Sequence, residues 1–216
     1  MDFIRSILRF RSENGLYVLL QHIAETPLNW ARNRMLASQF GIRRIRIGHG
    51  ALLRGLSHVA VGENFAAGNG LWLEAVLRYN DQIFSPRIII GRNVAISSWS
   101  HIAATHYVEI GDGVLIGSNV MITDHDHGQY NGPNTLPEVP PSFRPLTSTG
   151  RVVIGSNVWL GNNVVITAGS QIGEGSVIGA NSVVKGKIPS CTLAAGVPAK
   201  ALKRFDSTTG EWVRIQ

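Results

Sequence analysis

Two histidines alternate with two aspartates at residues 124–127, which read Asp-His-Asp-His. On an extended strand the two histidines would share one face and the two aspartates the other. A neutral imidazole, with a pKa of about 6.5, can take a proton from a weak nucleophile while a carboxylate or a backbone carbonyl orients the ring. Together with His101 and His106, the same histidines could instead bind zinc. The pattern alone leaves both possibilities open.

A segment without the periodicity of its surroundings follows this cluster and runs to about residue 150. Four prolines lie between Pro137 and Pro145, and Tyr130 and Phe143 are large side chains able to anchor the segment. Long loops in compact repeat proteins are usually functional. We therefore expect residues 124–150 to form an ordered arm.

A six-residue repeat must position these residues. Apolar side chains recur at steps of six in three runs, at Ile90, Ile96, Ile102; Ile110, Ile116, Ile122; and Ile154, Leu160, Ile166, Ile172, Ile178, Val184. Weaker copies begin at Ile47 and Val61. A period of six fits neither an α-helix nor a simple strand, but it fits a chain that turns a corner every six residues. The pattern predicts coils of three short strands, with the apolar residues inside and Gly or Asn at the corners.

Composition and charge limit the function further. The chain has 216 residues, 24 of them glycine, and a net charge of +6. Residues 1–50 contain eight arginines and three acids, and residues 181–216 contain six basic and two acidic residues. Few aromatic residues and no recognisable motif accompany this charge, which disfavours nucleic acid as a partner. The single cysteine, Cys191, is expected to be a buried thiol in a reducing compartment.

The N-terminal segment is expected to be helical over residues 1–40, because its apolar residues follow helical spacing, with a break at Asn14-Gly15. It lacks the cleavage site of a signal peptide and the length of a membrane span. The expected location is the cytoplasm. Contact with the inner membrane or a glycolipid through residues 1–40 stays open as an alternative to packing on the rest of the chain.

The repeat apolar-Gly-x-x-Val/Ser/Ala-x resembles the hexapeptide-repeat family, and the resemblance covers roughly residues 47–200. It implies a left-handed parallel β-helix, an all-β solenoid. The expected organisation is an N-terminal helical segment (1–45), a β-helix (46–200) with a protruding arm loop (124–150) and a C-terminal tail (201–216).

Two further segments narrow the resemblance. The Asp-His-Asp-His cluster, the arm and V-x-I-G-S-N-V-W-L-G-N-N-V look like the hexapeptide O-acetyltransferases. The sequences P-P-S-F-R-P-L and I-P-S-C-T-L-A-A-G-V-P-A-K look like the enzymes that acetylate lipopolysaccharide and other surface polysaccharides. The resemblance implies direct transfer from acetyl-CoA to a sugar hydroxyl, with His125 as base and no metal. It also implies a homotrimer with active sites between adjacent subunits.

The resemblance also suggests which residues contact the two substrates. Coenzyme A contacts fall on Trp159, Asn162, Ala180, Lys185, Gly186, Lys200 and Lys203, and the backbone N–H of Asn162 is the candidate oxyanion donor. The acceptor residues of the galactoside enzymes fall on Ala95 and Ala103, so those contacts do not transfer. The candidates on the acceptor side are instead Ser97, Trp99, His101, Asp124, His127 and Arg144. Trp99 could equally be a packing residue, and His127 a structural one.

Two other functions remain as alternatives. The first is a zinc-dependent hydratase of the carbonic anhydrase type, which needs three histidines converging across subunits. The second is a non-catalytic trimeric scaffold that docks partners through its basic N-terminal helices.

Overall fold

In the computed structural model, residues 2–130 and 136–215 are described. A helix, α1 (Asp2–Phe40), precedes the strands and contains Pro27. Gly15 interrupts it with φ 82° and ψ 169°, values that are not helical. Glycine tolerates this conformation because it has no Cβ. The interruption therefore divides α1 into two pieces at the Asn14-Gly15 position. Within the described residues, no helix combines the length and apolar character that a bilayer crossing needs.

The described residues after α1 form short strands and two 3-10 turns, Leu56–His58 and Pro141–Phe143. In chain order the strands are β1 (Ile45–Ile47), β2 (Leu52–Arg54), β3 (Val59–Val61), β4 (Phe65–Ala67), β5 (Trp72–Ala75), β6 (Arg78–Tyr79), β7 (Gln82–Ile83), β8 (Arg87–Ile90), β9 (Ala95–Ile96), β10 (His101–Ala104), β11 (Tyr107–Ile110), β12 (Leu115–Ile116), β13 (Met121–Thr123), β14 (Asp126–His127), β15 (Leu146–Thr147), β16 (Val152–Ile154), β17 (Trp159–Leu160), β18 (Val165–Ile166), β19 (Gln171–Ile172), β20 (Val177–Ile178), β21 (Val183–Val184), β22 (Lys187–Ile188), β23 (Thr192–Gly196), β24 (Ala199–Asp206) and β25 (Glu211–Arg214).

Three parallel sheets contain most of the described strands. Sheet A contains β1, β4, β9, β12, β17, β20 and β23; sheet B contains β2, β5, β10, β13, β18 and β21; sheet C contains β3, β8, β11, β16, β19 and β22. The chain visits A, B and C in that order and then starts again. Where no insertion intervenes, earlier coils are 20 residues long, as in the pairing of Ala95 with Leu115, but in later coils paired residues are 18 apart, as in the pairing of Trp159 with Val177. This is the coil length that the six-residue period predicts.

The inside of the coils is filled by the repeating apolar residues. All twelve are buried, and Ile96 is the most exposed of them at 4%. Burying a side chain of this size contributes about 1.5–3 kcal/mol each. At the corners, asparagines adopt left-handed backbone angles, for example Asn163 with φ 58°. The glycine that follows an inward residue allows the coils to stack, because a Cβ on Gly161 would lie 2.7 Å from the backbone nitrogen of Ala180.

Both ends of the stack are covered. At one end α1 packs on the first coil, where Leu36 joins the core and Arg32 donates hydrogen bonds to the carbonyls of Ile47 and Gly48. At the other end β24 and β25 extend sheet A with antiparallel pairing. The domain boundaries expected at residues 45 and 200 therefore fall inside β1 and β24, and residues 201–214 continue the sheet instead of forming a separate tail. Cys191 is exposed at a corner, so the expectation of a buried thiol is wrong.

Candidate active site

His125 lies at the corner between sheets B and C, where the chain leaves its coil to form the arm. The preceding residue, Asp124, has no exposed surface. Its carboxylate accepts hydrogen bonds from the backbone N–H groups of Thr105, His106 and Tyr107, at 2.8, 2.8 and 2.6 Å. The corner of the previous coil therefore fixes Asp124, and Asp124 in turn fixes the start of the arm.

Asp124 also holds the imidazole of His125. Burial raises the pKa of the Asp124 carboxyl, but hydrogen bonds from His125 and from the neighbouring backbone N–H groups lower it, and the net pKa lies below its ordinary value. An ionised carboxylate only accepts hydrogen bonds. The Nδ1 of His125, which lies 3.0 Å from Asp124 Oδ1, therefore carries the proton. Nε2 keeps the lone pair that a general base needs.

This geometry corrects one prediction. Asp124 was expected on the acceptor side, but a fully buried carboxylate cannot contact a sugar. Thr123 adds a second contact, with its Oγ1 3.2 Å from His125 Nδ1. The His125 side chain is 13% exposed, which leaves part of the ring open to a substrate.

The arm is braced by its own polar groups. Arg144 donates from Nε to the carbonyl of Val139 and from its two terminal nitrogens to Tyr130 Oη and the carbonyl of Pro137. Each guanidinium nitrogen thus has a partner inside the arm. Arg144 therefore holds the arm together, and its expected role in binding the acceptor stays a prediction.

A hairpin that the sequence did not predict supports the arm. It consists of β6 and β7 and interrupts the coil between β5 and β8. Gln82 exchanges two hydrogen bonds with the backbone of Leu146, at 3.1 and 2.7 Å. Tyr79 Oη donates to the carbonyl of Ser142 and lies 3.1 Å from Nδ1 of His127. His127 is therefore anchored to the hairpin, two residues beyond the candidate base.

Another candidate residue, His101, lies on the outer face of sheet B. His101 stacks on Trp72 with ring centroids 4.1 Å apart, and Trp72 Nε1 donates to Glu74. Burial is the main cause that lowers the pKa of His101; Glu74 opposes this shift and His125 adds to it. The Nε2 atom of His101 is buried and has no hydrogen-bond partner among the described residues. The neutral, partly buried imidazole of His101 therefore lies in sheet B, which also contains β13, the strand that leads to His125.

Trp99, another acceptor candidate, lies at a different corner, between sheets A and B. Its φ of 64° is a left-handed angle that bulky residues rarely adopt. The indole covers Gly70 of the previous coil, where a Cβ would lie 2.1 Å from the ring, and 63% of Trp99 stays exposed. Ser97 occupies the start of the same corner. Trp99 is thus a surface residue, not a core one.

Most of the coenzyme candidates cluster on sheet A and its corner with sheet B. Trp159 is 52% exposed on the outer face, between Leu115 and Val177 in the neighbouring strands. Asn162 and Ala180 occupy equivalent positions at the corner in successive coils. Lys200 and Lys203 lie on β24, which pairs with β23 at the end of the same sheet.

The backbone N–H of Asn162 is available at this corner. One coil earlier, the N–H of Ser118 donates to the side-chain oxygen of Asn162, at 2.9 Å. The next coil has Ala180 at the corresponding position, and alanine offers no side-chain oxygen. Within the described parts of the chain, the Asn162 N–H accordingly donates no hydrogen bond.

Lys185 and Gly186 are separated from that group. They follow β21 at the corner between sheets B and C, the corner that carries His125 two coils earlier in the stack. About six residues of extended chain, roughly 15–20 Å, separate the two corners along one coil. The structure therefore divides the predicted site into two groups, one with His125, Lys185 and Gly186 and one with Trp159, Asn162, Ala180, Lys200 and Lys203.

Among residues 2–130 and 136–215, no three His, Cys, Asp or Glu side chains are grouped so that they could hold a metal ion.

Comparison with known proteins identifies the family. Residues 151–186 match the family model for bacterial transferase hexapeptide repeats. The chain is 44% identical over 162 residues to WbbJ of Escherichia coli K12, which is named as a lipopolysaccharide biosynthesis O-acetyl transferase; the match covers 74% of this chain and 79% of WbbJ. The chain belongs to the hexapeptide-repeat acetyltransferases. It is 34% identical to the galactoside O-acetyltransferase of the same organism, over 68% of this chain and 67% of the relative.

Solved structures agree with this assignment. A galactoside acetyltransferase in complex with coenzyme A has 25% identity and a TM-score of 0.50, covering 86% of this chain and 77% of that one. AntD, an N-acyltransferase from Bacillus cereus crystallised with a dTDP-sugar and coenzyme A, has a TM-score of 0.62 at 17% identity, covering 82% and 91%. The second likeness concerns the fold alone. As a member of this family, the protein is an acyltransferase.

Proposed function

We propose that the protein transfers an acetyl group from acetyl-CoA to a sugar hydroxyl of a surface polysaccharide of the lipopolysaccharide type, or of its precursor. The observation that carries this proposal is the pair formed by His125 and the buried Asp124 at the root of a braced arm. The similarity to WbbJ supports the choice of acceptor class. Because acetyl-CoA is the donor, we place the reaction in the cytoplasm.

His125 acts as the general base in the proposed mechanism. Its Nε2 takes the proton of the sugar hydroxyl as that oxygen attacks the thioester carbonyl and forms the new C–O bond. The tetrahedral intermediate then expels the coenzyme A sulfur, and the imidazolium returns the proton to it. The Asp124 carboxylate stabilises the imidazolium while it exists. Acetyl ester and free thiol are the products, and no acyl-enzyme forms.

The donor for the oxyanion is the N–H of Asn162, in our proposal. A base must lie within about 3.2 Å of the proton it removes, directly or through one water. The two corners of one chain are too far apart for His125 and Asn162 to act on the same carbonyl. We therefore propose a homotrimer of left-handed β-helices in which His125 of one subunit faces the corner of Asn162 in the next.

Coenzyme A would lie along the second corner. Ala180 leaves room for the pantetheine arm, and the exposed Trp159 provides an apolar surface beside it. Lys200 and Lys203 offer positive charge for the phosphates at the end of sheet A. Lys185 and Gly186, on the His125 side, would line the opposite wall of the same cleft.

The acceptor side has a different chemistry from that of the galactoside enzymes. Ala95 and Ala103 replace the polar contacts of that family. We propose that the neutral imidazole of His101 contacts the acceptor in their place. His127, held by Tyr79, and the exposed indole of Trp99 are further candidates. A ring stacked on a pyranose would suit Trp99, whose face is open to solvent.

Substitution of the base tests this function. In H125A, release of free thiol from acetyl-CoA in the presence of acceptor glycan should fall by about 10²–10⁴-fold. The affinity for coenzyme A, measured by calorimetry, should stay unchanged. H127A is the comparison variant, and it should lose far less because it removes a candidate acceptor contact and leaves the base in place. Full turnover by H125A would refute the assignment, and so would failure of the wild-type protein to bind coenzyme A.

A further inference from the structure

A cavity of about 890 Å³ lies between α1 and the first coils of sheet A, far from the candidate active site. Four arginines line it: Arg34, Arg43, Arg44 and Arg46. The lining also contains Trp30 and Phe65 and, among the side chains that the structure describes, no aspartate or glutamate. Its volume is in the range of small-molecule sites, roughly 300–1,000 Å³. The cavity is therefore large, cationic and partly aromatic.

The charge of this cavity is largely uncompensated. Arg43 has one ion pair, with Glu63 at 3.7 Å, and its side chain is 92% exposed. Arg44 and Arg46 form no ion pair with any described residue. Arg34 lies over the ring of Trp30, at 6.0 Å from its centroid. Arg32, by contrast, is used to fasten the helix to the first coil.

An apolar stripe runs along the same helix. Tyr17, Leu28 and Met35 are 78%, 77% and 73% exposed. They are separated by 11 and 7 residues, about three and two helical turns, so they fall on one line along α1. Leu16 and Leu20, also exposed, lie on one side of this line. The stripe is on the face of α1 opposite the cavity, because Asn33 and Ala37, which line the cavity, are about half a turn around the helix from Leu28 and Met35. Apolar residues on the outer face with arginines behind them match a bilayer, with its acyl chains and anionic headgroups, better than a soluble anion.

We propose that this end of the protein docks on a membrane, with the phosphate of an anionic lipid headgroup in the arginine cavity and the stripe of Tyr17, Leu28 and Met35 among the acyl chains. The coenzyme phosphates have their own candidate lysines at the opposite end of sheet A, so the cavity is not needed for the donor. Lipid contact at this end would hold the active site at the surface where a lipid-bound acceptor lies.

Electrostatics set the expected size of the effect. Each arginine near an anionic surface contributes about 1 kcal/mol of binding, or roughly a five-fold change in partitioning. Removing Arg44 and Arg46 together should therefore weaken binding by roughly 25-fold. The binding should also weaken as salt is raised, because screening shortens the range of these charges.

Cosedimentation with vesicles tests the proposal and needs no turnover, so it is independent of the proposed reaction. The wild-type protein should bind vesicles of phosphatidylcholine with about 30 mol% phosphatidylglycerol, and should bind pure phosphatidylcholine much more weakly. R44A/R46A should lose roughly 25-fold in affinity for the anionic vesicles. R87A/R214A removes the same charge from other exposed positions and should bind like wild type. Melting curves of each variant confirm that it is folded.

Three results would overturn the proposal. The first is that the protein does not bind anionic vesicles, even if calorimetry shows that it binds inorganic diphosphate. The second is an equal loss in R44A/R46A and R87A/R214A, which would indicate a net-charge effect. The third comes from L28S/M35S: if it leaves vesicle binding intact and instead lowers the oligomeric state without lipid, the stripe is a contact between copies of the chain.

Discussion

The two corners of sheet B differ in how they present their chemistry. At the corner with sheet C, the chemical groups are side chains: the buried Asp124 orients His125, and the arm begins beside them. At the corner with sheet A, a backbone group is presented: because position 180 is alanine, the N–H of Asn162 has no acceptor among the described residues. In the proposed mechanism one corner supplies the base and the other the oxyanion donor. Since the two corners lie on opposite edges of one sheet, the proposal requires that they come from different chains.

Mixed oligomers give the largest expected effect. H125A removes the base at one corner, and A180E places bulk and negative charge at the other, so each variant alone should be almost inactive. When the two are refolded together in equal amounts, about one quarter of the sites should combine two intact corners. Acetyl transfer should recover to about that fraction of wild type. Mixtures as inactive as their components would show that both corners act from a single chain.

Asp124→Asn should affect only the first corner. Only the oxygen of a side-chain amide accepts hydrogen bonds, so the NH₂ group of asparagine would face backbone N–H donors. The ring of His125 would then lose the contact that fixes its tautomer. We expect kcat to fall by roughly 10–100-fold, the range seen when a partner that orients a histidine is lost. The KM for acetyl-CoA should not change. A variant that loses thermal stability while keeping its kcat would limit Asp124 to a structural role.

The lysines of β24 test the role of the second corner in binding coenzyme A. In K200A/K203A the KM for acetyl-CoA should rise by about five- to ten-fold with kcat unchanged, since phosphate contacts contribute uniform binding. The difference should shrink at high salt. K187A, an exposed lysine outside the proposed site, serves as the control. If both variants have the same KM, the phosphates lie elsewhere.

His101, between the two corners, should give the smallest effect. Its lowered pKa means that below about pH 6.5 the unfolded chain binds more protons than the folded one, so stability falls as the pH is lowered. H101F keeps the stack on Trp72 and removes the titrating group. Melting curves at neutral pH and about pH 5.5 should show a decrease in Tm that is smaller by a few degrees in H101F than in wild type. Equal decreases would mean that the burial of His101 does not penalise its charged form.

Sequence alone predicts the parts of the molecule that repeat. The ladder residues, such as Ile116 and Leu160, are identifiable because each must be buried against an equivalent residue one coil away. The corners are identifiable because Asn163 and its equivalents adopt left-handed angles. The same regularity indicates residues 124–127, where the repeat stops, and the family resemblance selects His125 among them.

What the sequence did not reveal depends on contacts between distant segments. The hairpin of β6 and β7 has no ladder residue, and its partner Ser142 lies 63 residues from Tyr79. Arg144 was predicted to contact the acceptor, and the sequence does not show that its three side-chain nitrogens form hydrogen bonds within the arm. The position of Asp124 beneath the previous corner also could not be predicted from the sequence, because nothing in the local pattern distinguishes Asp124 from Asp126.

The hairpin and the arm also constrain how new specificities can arise. Because Gln82 and Tyr79 bond to the arm at Leu146 and Ser142, a change in the length or path of either insertion would break these contacts. We therefore expect a new arm conformation to require a matched change in the hairpin. Chimeras between relatives should remain well folded when residues 76–86 and 124–150 are exchanged together, and lose order in the arm when either is exchanged alone.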